Sequence, residues 1–132
     1  MAKLRMQRDL NPLKEKALLE IDAAAEAARG RFITLGAGQT LVYEQKVREA
    51  ESIMINADIP LSEVPHVAAE AAMYDITPFE QAVVILTLRQ QWATISPAIE
   101  CKRLAAKDAV MAANTLADLA AARNVDWEGM LS

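Results

Sequence analysis

The stretch "FITLGAGQTLVYEQK", residues 32–46, contains a glycine-rich turn of the kind that can hold a phosphate. A P-loop needs the pattern G-x-x-x-x-G-K-[ST], in which the lysine binds the β- and γ-phosphates. Aligned on the end of that pattern, the chain has Ile33 at the first glycine and Gln39 at the lysine. The dinucleotide pattern G-x-G-x-x-G also fails, because Leu41 occupies its third glycine. The sequence therefore predicts no nucleotide site in this stretch.

The same stretch suits a plain connection between two helices. Gly36 and Gly38 can adopt a positive φ without the steric cost that a side chain brings. Gln39 or Thr40 can cap the helix that follows. We therefore expect a helix–helix turn with no bound cofactor.

His66 and Cys101 are the single histidine and the single cysteine of the chain. Zinc sites usually need several such ligands, and these two lie 35 residues apart without paired spacing. A small enzyme that uses them as a nucleophilic pair is a less favoured alternative. We expect His66, which follows Pro65, to begin a helix with one backbone hydrogen bond, and Cys101 to be a buried thiol. No catalytic residue and no metal ligand are predicted.

Acidic side chains are plentiful, among them Glu44, Glu49, Glu51, Glu63, Glu70 and Glu100. Paired-acid catalysis would need a carboxyl group whose pKa is raised, and no spacing in the sequence singles one out. A small-molecule substrate is therefore not predicted.

The composition favours one helical domain. The 132 residues fit a single domain, and 53% of them are hydrophobic, with a large share of alanine and few glycines and prolines. No apolar run approaches the ~20 residues of a membrane span, so no membrane partner is expected. A lone cysteine excludes an intrachain disulfide and fits a reducing compartment.

Charge is distributed unevenly along the chain. Residues 1–16 carry five basic and two acidic side chains, a net charge of +3, which leaves −7 for the rest, given the total of −4. We interpret residues 1–10 as a basic arm in which Lys3, Arg5 and Arg8 bind an acidic partner surface or a neighbouring copy. Ordinary solvation of a terminus is the equal alternative. Nucleic acid is not expected as a partner, because the arm has no aromatic residue and the body is acidic.

Local signals predict an all-α fold with about five helices. Asn11 suits the N-cap of the first helix and Pro12 its first position, and Gly30 either ends that helix or lets it run one more turn. A second helix is expected over residues 40–56, with its inner side marked by Leu41, Val42, Lys46, Ala50, Ile53 and Met54. A third is expected over residues 64–75.

The segment "DITPFEQA" is the clearest local signal in the chain. Thr77, Pro78 and Glu80 form a capping box with proline at the first helical position. The long helix that starts there, and that contains Trp92, carries apolar residues on more than one stripe, so it should be central and covered on several sides. Pro97 either kinks this helix or separates two helices, and the helix should continue to about residue 112.

The end of the chain is predicted to hold a short helix and then an extended tail. Asn114, Thr115 and Asp118 offer a cap, and the helix should run to about Ala122. Trp127 in the tail needs a covering surface, so it packs back on its own bundle or anchors in a partner pocket. We expect residues 11–132 to form a single helical bundle domain.

Several segments resemble a small helical module of tailed-bacteriophage tail proteins. The first is "IDAAAEAARGRFITLGAGQTLVYEQKVREAE", in which the glycine turn leads into a helix with Tyr43, Lys46, Glu49 and Ala50. "HVAAEAAMYDITPFEQAVVIL" is similar to the second hairpin of the module, and "QWATISPAIECKRLAAKDAV" is similar to its long tryptophan-containing helix. The resemblance covers about residues 18–127.

The resemblance implies a protein that works in the phage tail. Such modules belong to proteins encoded among tail-fibre and baseplate genes, and no catalytic residues are established for them. About 17 residues precede the match, which favours an adaptor, capping or chaperone-like role. The expected partner is a tail-fibre or baseplate protein, and a second copy of the chain is a further candidate. The expected location is the virion tail, after assembly in the host cytoplasm; a transient fibre-assembly chaperone absent from the virion is the alternative.

Overall fold

All regular structure in the described part of the chain is helical. The computed structural model describes residues 9–33 and 36–129. These ranges contain five α-helices and one 3₁₀ helix: α1 Asn11–Arg29, α2 Ala37–Ile55, the 3₁₀ helix Leu61–Glu63, α3 Pro65–Tyr74, α4 Pro78–Ala112 and α5 Leu116–Arg123. The predicted all-α fold with one long central helix is confirmed.

Helix α1 begins one residue earlier than the sequence indicated. The carbonyl of Leu10 accepts a hydrogen bond from the N–H of Lys14 at 2.8 Å, so Leu10 stands at the N-cap. The Asp9 carboxylate accepts from the N–H of Asn11 at 3.0 Å, which satisfies one of the free amides of the first turn. The prediction that Asn11 is the N-cap is therefore wrong. At the other end, α1 stops at Arg29, immediately before Gly30.

Two helix starts agree with the predicted caps. The Thr77 hydroxyl accepts from the N–H of Glu80 at 3.0 Å at the start of α4. The Thr115 hydroxyl accepts from the N–H of Asp118 at 3.0 Å at the start of α5. Both bonds join residues three apart, so the few residues around each start are enough to specify it.

Pro97 lies inside α4, which is one helix of 35 residues. Proline has no N–H, so the Ala93 carbonyl loses its intrahelical donor. The chain divides into two compact units just before this point, between Thr94 and Ile95. The middle unit is Gly30–Thr94, and the terminal unit consists of Met1–Arg29 and Ile95–Ser132. The expectation of one domain over residues 11–132 stays a prediction.

The terminal unit has a core of small side chains. Ala17, Ala25 and Ala28 of α1 are almost fully buried, and Ile99 and Val110 of α4 have no exposed surface. Alanine at these positions allows α1 and the second half of α4 to approach closely, since little side-chain volume separates the two backbones. Ile21, Ala106, Ala113 and Leu119 complete the buried set.

The middle unit packs larger side chains from α2, α3 and the first half of α4. Its core consists of Val47, Ala50, Ile53, Val64, Val67, Ala82 and Ile85. Ala50 and Ile53 confirm part of the predicted inner side of α2. Leu41, Val42 and Met54 do not, because they are 68%, 36% and 39% exposed. Val47 and the carboxylate of Glu49 occupy the inner side instead.

Candidate functional site

The glycine turn before α2 is a helix start. Gly36 is the N-cap residue and has a φ of 118°, so its freedom to adopt a positive φ is used. Gly38 has no positive φ and lies within α2, contrary to the prediction. No side chain among the described residues caps the helix. The Thr40 hydroxyl instead donates to the Gly36 carbonyl at 3.1 Å, so the predicted cap at Gln39 or Thr40 is wrong.

A buried carboxylate organises the middle unit. Glu49 of α2 is 2% exposed. Its Oε1 accepts hydrogen bonds from the backbone N–H of His66 at 2.8 Å and of Val67 at 3.1 Å, which are free donors in the first turn of α3. Its Oε2 accepts from the Gln45 side-chain amide at 3.1 Å and lies 2.7 Å from Nδ1 of His66. Glu49 therefore acts as a helix cap supplied by a different helix.

These contacts keep the Glu49 carboxyl ionised. Burial by itself raises its pKa, but hydrogen bonds from the Val67 N–H, the His66 ring and the Gln45 amide outweigh burial and lower the pKa below its ordinary value. A general acid needs a raised pKa, so the environment of Glu49 suits a structural cap and not proton donation.

A second polar chain joins all three helices of the middle unit. Nζ of Lys46 on α2 lies 2.7 Å from a carboxylate oxygen of Glu70 on α3. The other oxygen of Glu70 accepts from the side-chain amide of Gln81 on α4 at 2.9 Å. Gln81 is only 5% exposed, so Glu70 satisfies a buried amide that would otherwise be costly.

Tyr43 and Lys46, two residues of the phage-module resemblance, both have positions in this unit. Tyr43 packs against the core, and its hydroxyl is buried without a hydrogen-bond partner among the described residues. Burial raises the pKa of Tyr43, although Arg89 nearby opposes the effect. The buried, protonated phenol acts as a packing group.

The two residues of the alternative nucleophilic pair belong to different units. His66 lies in the middle unit and Cys101 in the terminal unit. His66 lies in the first turn of α3, as predicted, but besides its backbone bond its ring also contacts Glu49. Cys101 is exposed, so the prediction of a buried thiol is wrong. Cys101 therefore lies on the outer side of α4. The side of the helix that faces the core is occupied by Ile99, which has no exposed surface.

Two kinds of site are absent from the described residues. No group of three or more His, Cys, Asp or Glu side chains there could hold a metal ion. No helix in those ranges has the length and apolar character that crossing a membrane requires.

The predicted partner-binding residues fall into two groups. Lys3, Arg5 and Arg8 lie outside the described residues. Trp127 lies in the tail after α5, is half-buried, and packs against both hydrophobic clusters of the terminal unit. Its own unit thus covers part of the ring, and its role as a partner anchor stays a prediction.

An apolar groove runs along the surface between α2 and α4. Met54, Val83, Leu86, Thr87, Gln90 and Gln91 line a hollow of about 420 Å³, which we call the α2–α4 groove. A second hollow of about 460 Å³ shares Leu86 and Gln90 with it and extends to Ala93. Val83 is 44% exposed although it belongs to a helix that was expected to be covered on several sides.

Sequence reasoning did not identify Glu49 as a buried helix cap, and it did not identify the α2–α4 groove. Glu49 meets its partners 17 and 18 residues away, across a turn whose length gives no hint of the contact. A signal for the groove was present, because the apolar stripes of α4 are too many for the helices available to cover them. Comparison with known proteins found no matching family model, no matching curated protein and no matching solved structure.

Proposed function

We propose that this chain is a tail-associated structural or assembly protein of a tailed bacteriophage, which binds a tail-fibre or baseplate subunit. The observation that carries the proposal is the exposed apolar surface of the middle unit, centred on the α2–α4 groove. The sequence resemblance over residues 18–127 supplies the class of partner.

The surface of α4 supports a binding role. Val83, Val84 and Leu88 are 44%, 45% and 49% exposed on a helix whose Ala82 and Ile85 already face the core. A helix that is apolar on more than one side is normally covered on more than one side. A contiguous exposed apolar surface often marks an interaction site. The exposed side of α4 therefore suits the binding of a partner.

The polar chemistry of the middle unit supports binding over catalysis. Its buried carboxylate caps a helix, and the Glu70 carboxylate bonds Lys46 and Gln81. These groups are committed to holding helices together. The protein thus acts by presenting a surface on a rigid helical scaffold.

A transient tail-fibre chaperone is the second candidate. Met54 in the groove and Met73 at the end of α3 are 39% and 68% exposed. Flexible methionine side chains adapt to differently shaped partners, a property of surfaces that bind and release. In this reading the protein binds the fibre subunit during assembly and is absent from the finished particle.

The test compares one charge placed in the groove with the same charge placed outside it. Val83→Asp puts a carboxylate into the α2–α4 groove, and Leu19→Asp makes the matched change at a 71%-exposed position of α1 in the terminal unit. In a phage that lacks its own copy of the gene, we expect Leu19→Asp to restore infectious particles and Val83→Asp to fail, with both variants folded by circular dichroism. Equal rescue by the two variants would contradict the groove as the binding surface.

Mass spectrometry of purified virions separates the two candidates. A structural tail protein is present in the particle at a fixed ratio to the baseplate or fibre subunits. A chaperone is absent from the particle although fibres fail to assemble without it. Normal tails and fibres in a deletion phage would contradict both.

A further inference from the structure

The turn between α3 and α4 presents large apolar side chains beside acidic ones. Met73 and Tyr74 end α3 and are 68% and 60% exposed, and Phe79 in the first turn of α4 is 47% exposed. Asp75 and Glu80 are exposed as well, and neither carboxylate forms an ion pair with any described residue. We call these five residues the tip surface.

The tip surface lies in the acidic part of the molecule. Residues 30–94 contain eight acidic and four basic side chains, so the middle unit carries the whole net charge of −4. Two of its basic groups are engaged, Lys46 with Glu70 and Arg89 with Glu51. The tip surface therefore attracts cationic groups over a distance of about one Debye length, ~8–10 Å.

The side chains of the tip define the ligand chemistry. Tyr74 and Phe79 can accept cations on their ring faces and thioether groups at their edges. Asp75 and Glu80 can accept charge-assisted hydrogen bonds from lysine or arginine. The complementary ligand is a peptide segment that mixes basic residues with methionine or leucine and has no acid.

The chain itself contains such a segment before the described structure begins at Asp9. Residues 1–8, "MAKLRMQR", have three basic side chains, two methionines, one leucine and no acid. Fully extended, eight residues span at most about 26–29 Å. We propose that the tip surface binds residues 1–8 of a second copy of this chain.

The contact is heterologous, because one copy contributes its amino-terminal segment and the other its tip surface. Each copy keeps a free segment or a free tip, so the contact can repeat and build rings or open chains. The inference goes beyond the proposed function and does not depend on it, because it concerns this chain alone and is tested without any tail protein.

The main experiment exchanges charges between the two sides of the contact. One variant carries Arg5→Glu and Arg8→Glu, and the other carries Asp75→Lys and Glu80→Lys. Sedimentation velocity over a range of concentrations should show that the unmodified full chain self-associates, with affinity falling as salt rises. Each variant alone should associate at least about tenfold more weakly, since like charges now meet.

Mixing the two variants tests whether the contact joins two molecules. In the mixture each acidic tip meets a basic segment and each acidic segment meets a basic tip, so association should return to the level of the unmodified chain. A deletion of residues 2–8 should also be monomeric; it retains Asp9 and Leu10, which cap α1. A variant with Asp58→Lys and Glu63→Lys, two other exposed acids of the middle unit, is the matched control and should associate normally.

Several results would overturn the inference. The unmodified chain could be monomeric at every concentration, or the segment variant Arg5→Glu, Arg8→Glu could associate as strongly as the unmodified chain. The control could weaken association as much as the tip variant, which would reduce the effect to overall charge. The mixture could also stay monomeric. Because Arg5 and Arg8 precede the described helices, their variant keeps the test decisive even if the tip variant melts at a lower temperature.

Discussion

The terminal and middle units differ in how much of their apolar surface they bury and in the polar contacts that join their helices. Among the described residues, the terminal unit exposes four large hydrophobic side chains and the middle unit eleven. The terminal unit also links α1 to α4 through surface ion pairs, in which Asp22 contacts Arg103 and Lys107, and Arg29 contacts Glu100. The middle unit has two ion pairs between its helices, Lys46 with Glu70 and Arg89 with Glu51, and in addition the buried carboxylate of Glu49.

The difference supports the proposal that the middle unit carries the binding surface. A unit with paired surface charges and few exposed apolar groups is complete as a folded body. A unit with exposed apolar stripes on α4, and with acids on its tip surface that pair with no described residue, leaves surface that a partner can cover.

Two tryptophans allow the units to be followed separately. Trp92 lies in the middle unit and Trp127 in the terminal unit. A Trp127→Phe background leaves Trp92 as the single fluorescent reporter, and a Trp92→Phe background leaves Trp127. The unfolding of each unit is therefore measured in the background that keeps its own tryptophan.

The largest effect is expected from Glu49→Ala. The change removes the acceptor for the His66 and Val67 N–H groups and vacates buried volume beside the middle core. Loss of a capping side chain costs about 1–2 kcal/mol, and the vacated volume adds to it. We expect the free energy of unfolding of the middle unit to fall by about 3 kcal/mol, measured by urea titration of Trp92 fluorescence.

Gln45→Ala is the matched control for this prediction. It removes one donor to Glu49 and leaves the two backbone donors and the histidine in place. Its effect should stay below about 1 kcal/mol. Equal losses in the two variants would mean that Glu49 acts as one ordinary surface contact and does not hold α3 in place.

The next largest loss of stability is expected from overpacking the core of the terminal unit. Ala25 of α1 has no exposed surface and lies in a cluster with Ile99 of α4. Ala25→Leu adds volume where the two helices approach closely, and we expect a loss of about 2 kcal/mol in the Trp127 background. Ala27→Leu makes the same change at an exposed position of the same helix and should be nearly neutral, because leucine and alanine have similar helix propensity.

These contrasts also show which features a sequence can specify. The starts of α4 and α5 were predictable, because Thr77 and Thr115 act on residues only three positions away. The inner side of α2 was not, because the hydrophobic character of Leu41 and Met54 favoured them over Glu49. Glu49 can be buried because α3 supplies two N–H groups to its carboxylate. The hydrophobic periodicity of α2 alone gives no information about a contact with another helix.

Helix α4 shows the same limit from the other side. Its apolar stripes correctly indicated a long central helix, and the capping box correctly placed its start. The expectation that several sides would be covered failed, because Val83, Val84 and Leu88 remain exposed in the described structure. The apolar residues of a helix include those that pack inside the protein and those that a binding partner covers, so the sequence pattern does not distinguish the two.

Acid is expected to weaken the middle unit through Glu49. The folded-state pKa of Glu49 lies below its ordinary value of 4.5. Its ionised form therefore contributes stability that is fully present above pH 4.5 and is lost as the pH falls through the folded-state pKa. Urea titrations of Trp92 fluorescence from neutral pH downward should show this loss in the unmodified chain. The Glu49→Gln variant should be less stable near neutral pH, and the difference between the two should shrink in acid; a constant difference would contradict the assignment.

The smallest effect is expected from the ion pairs of the terminal unit. Asp22 is 40% exposed and contacts both Arg103 and Lys107, at 2.9 and 3.0 Å. Hydrogen bonding from Lys107 is the main cause that lowers the pKa of Asp22, and Arg103 contributes as well. Exposed ion pairs are screened by water and salt, so Asp22→Asn should cost only about 0.5–1 kcal/mol in the Trp127 background. The cost should shrink further in high salt, whereas the cost of Glu49→Ala should hardly change, since Glu49 is buried. A salt-independent loss at Asp22 equal to that at Glu49 would remove the distinction between a unit with charges paired at its surface and a unit organised by a buried acid.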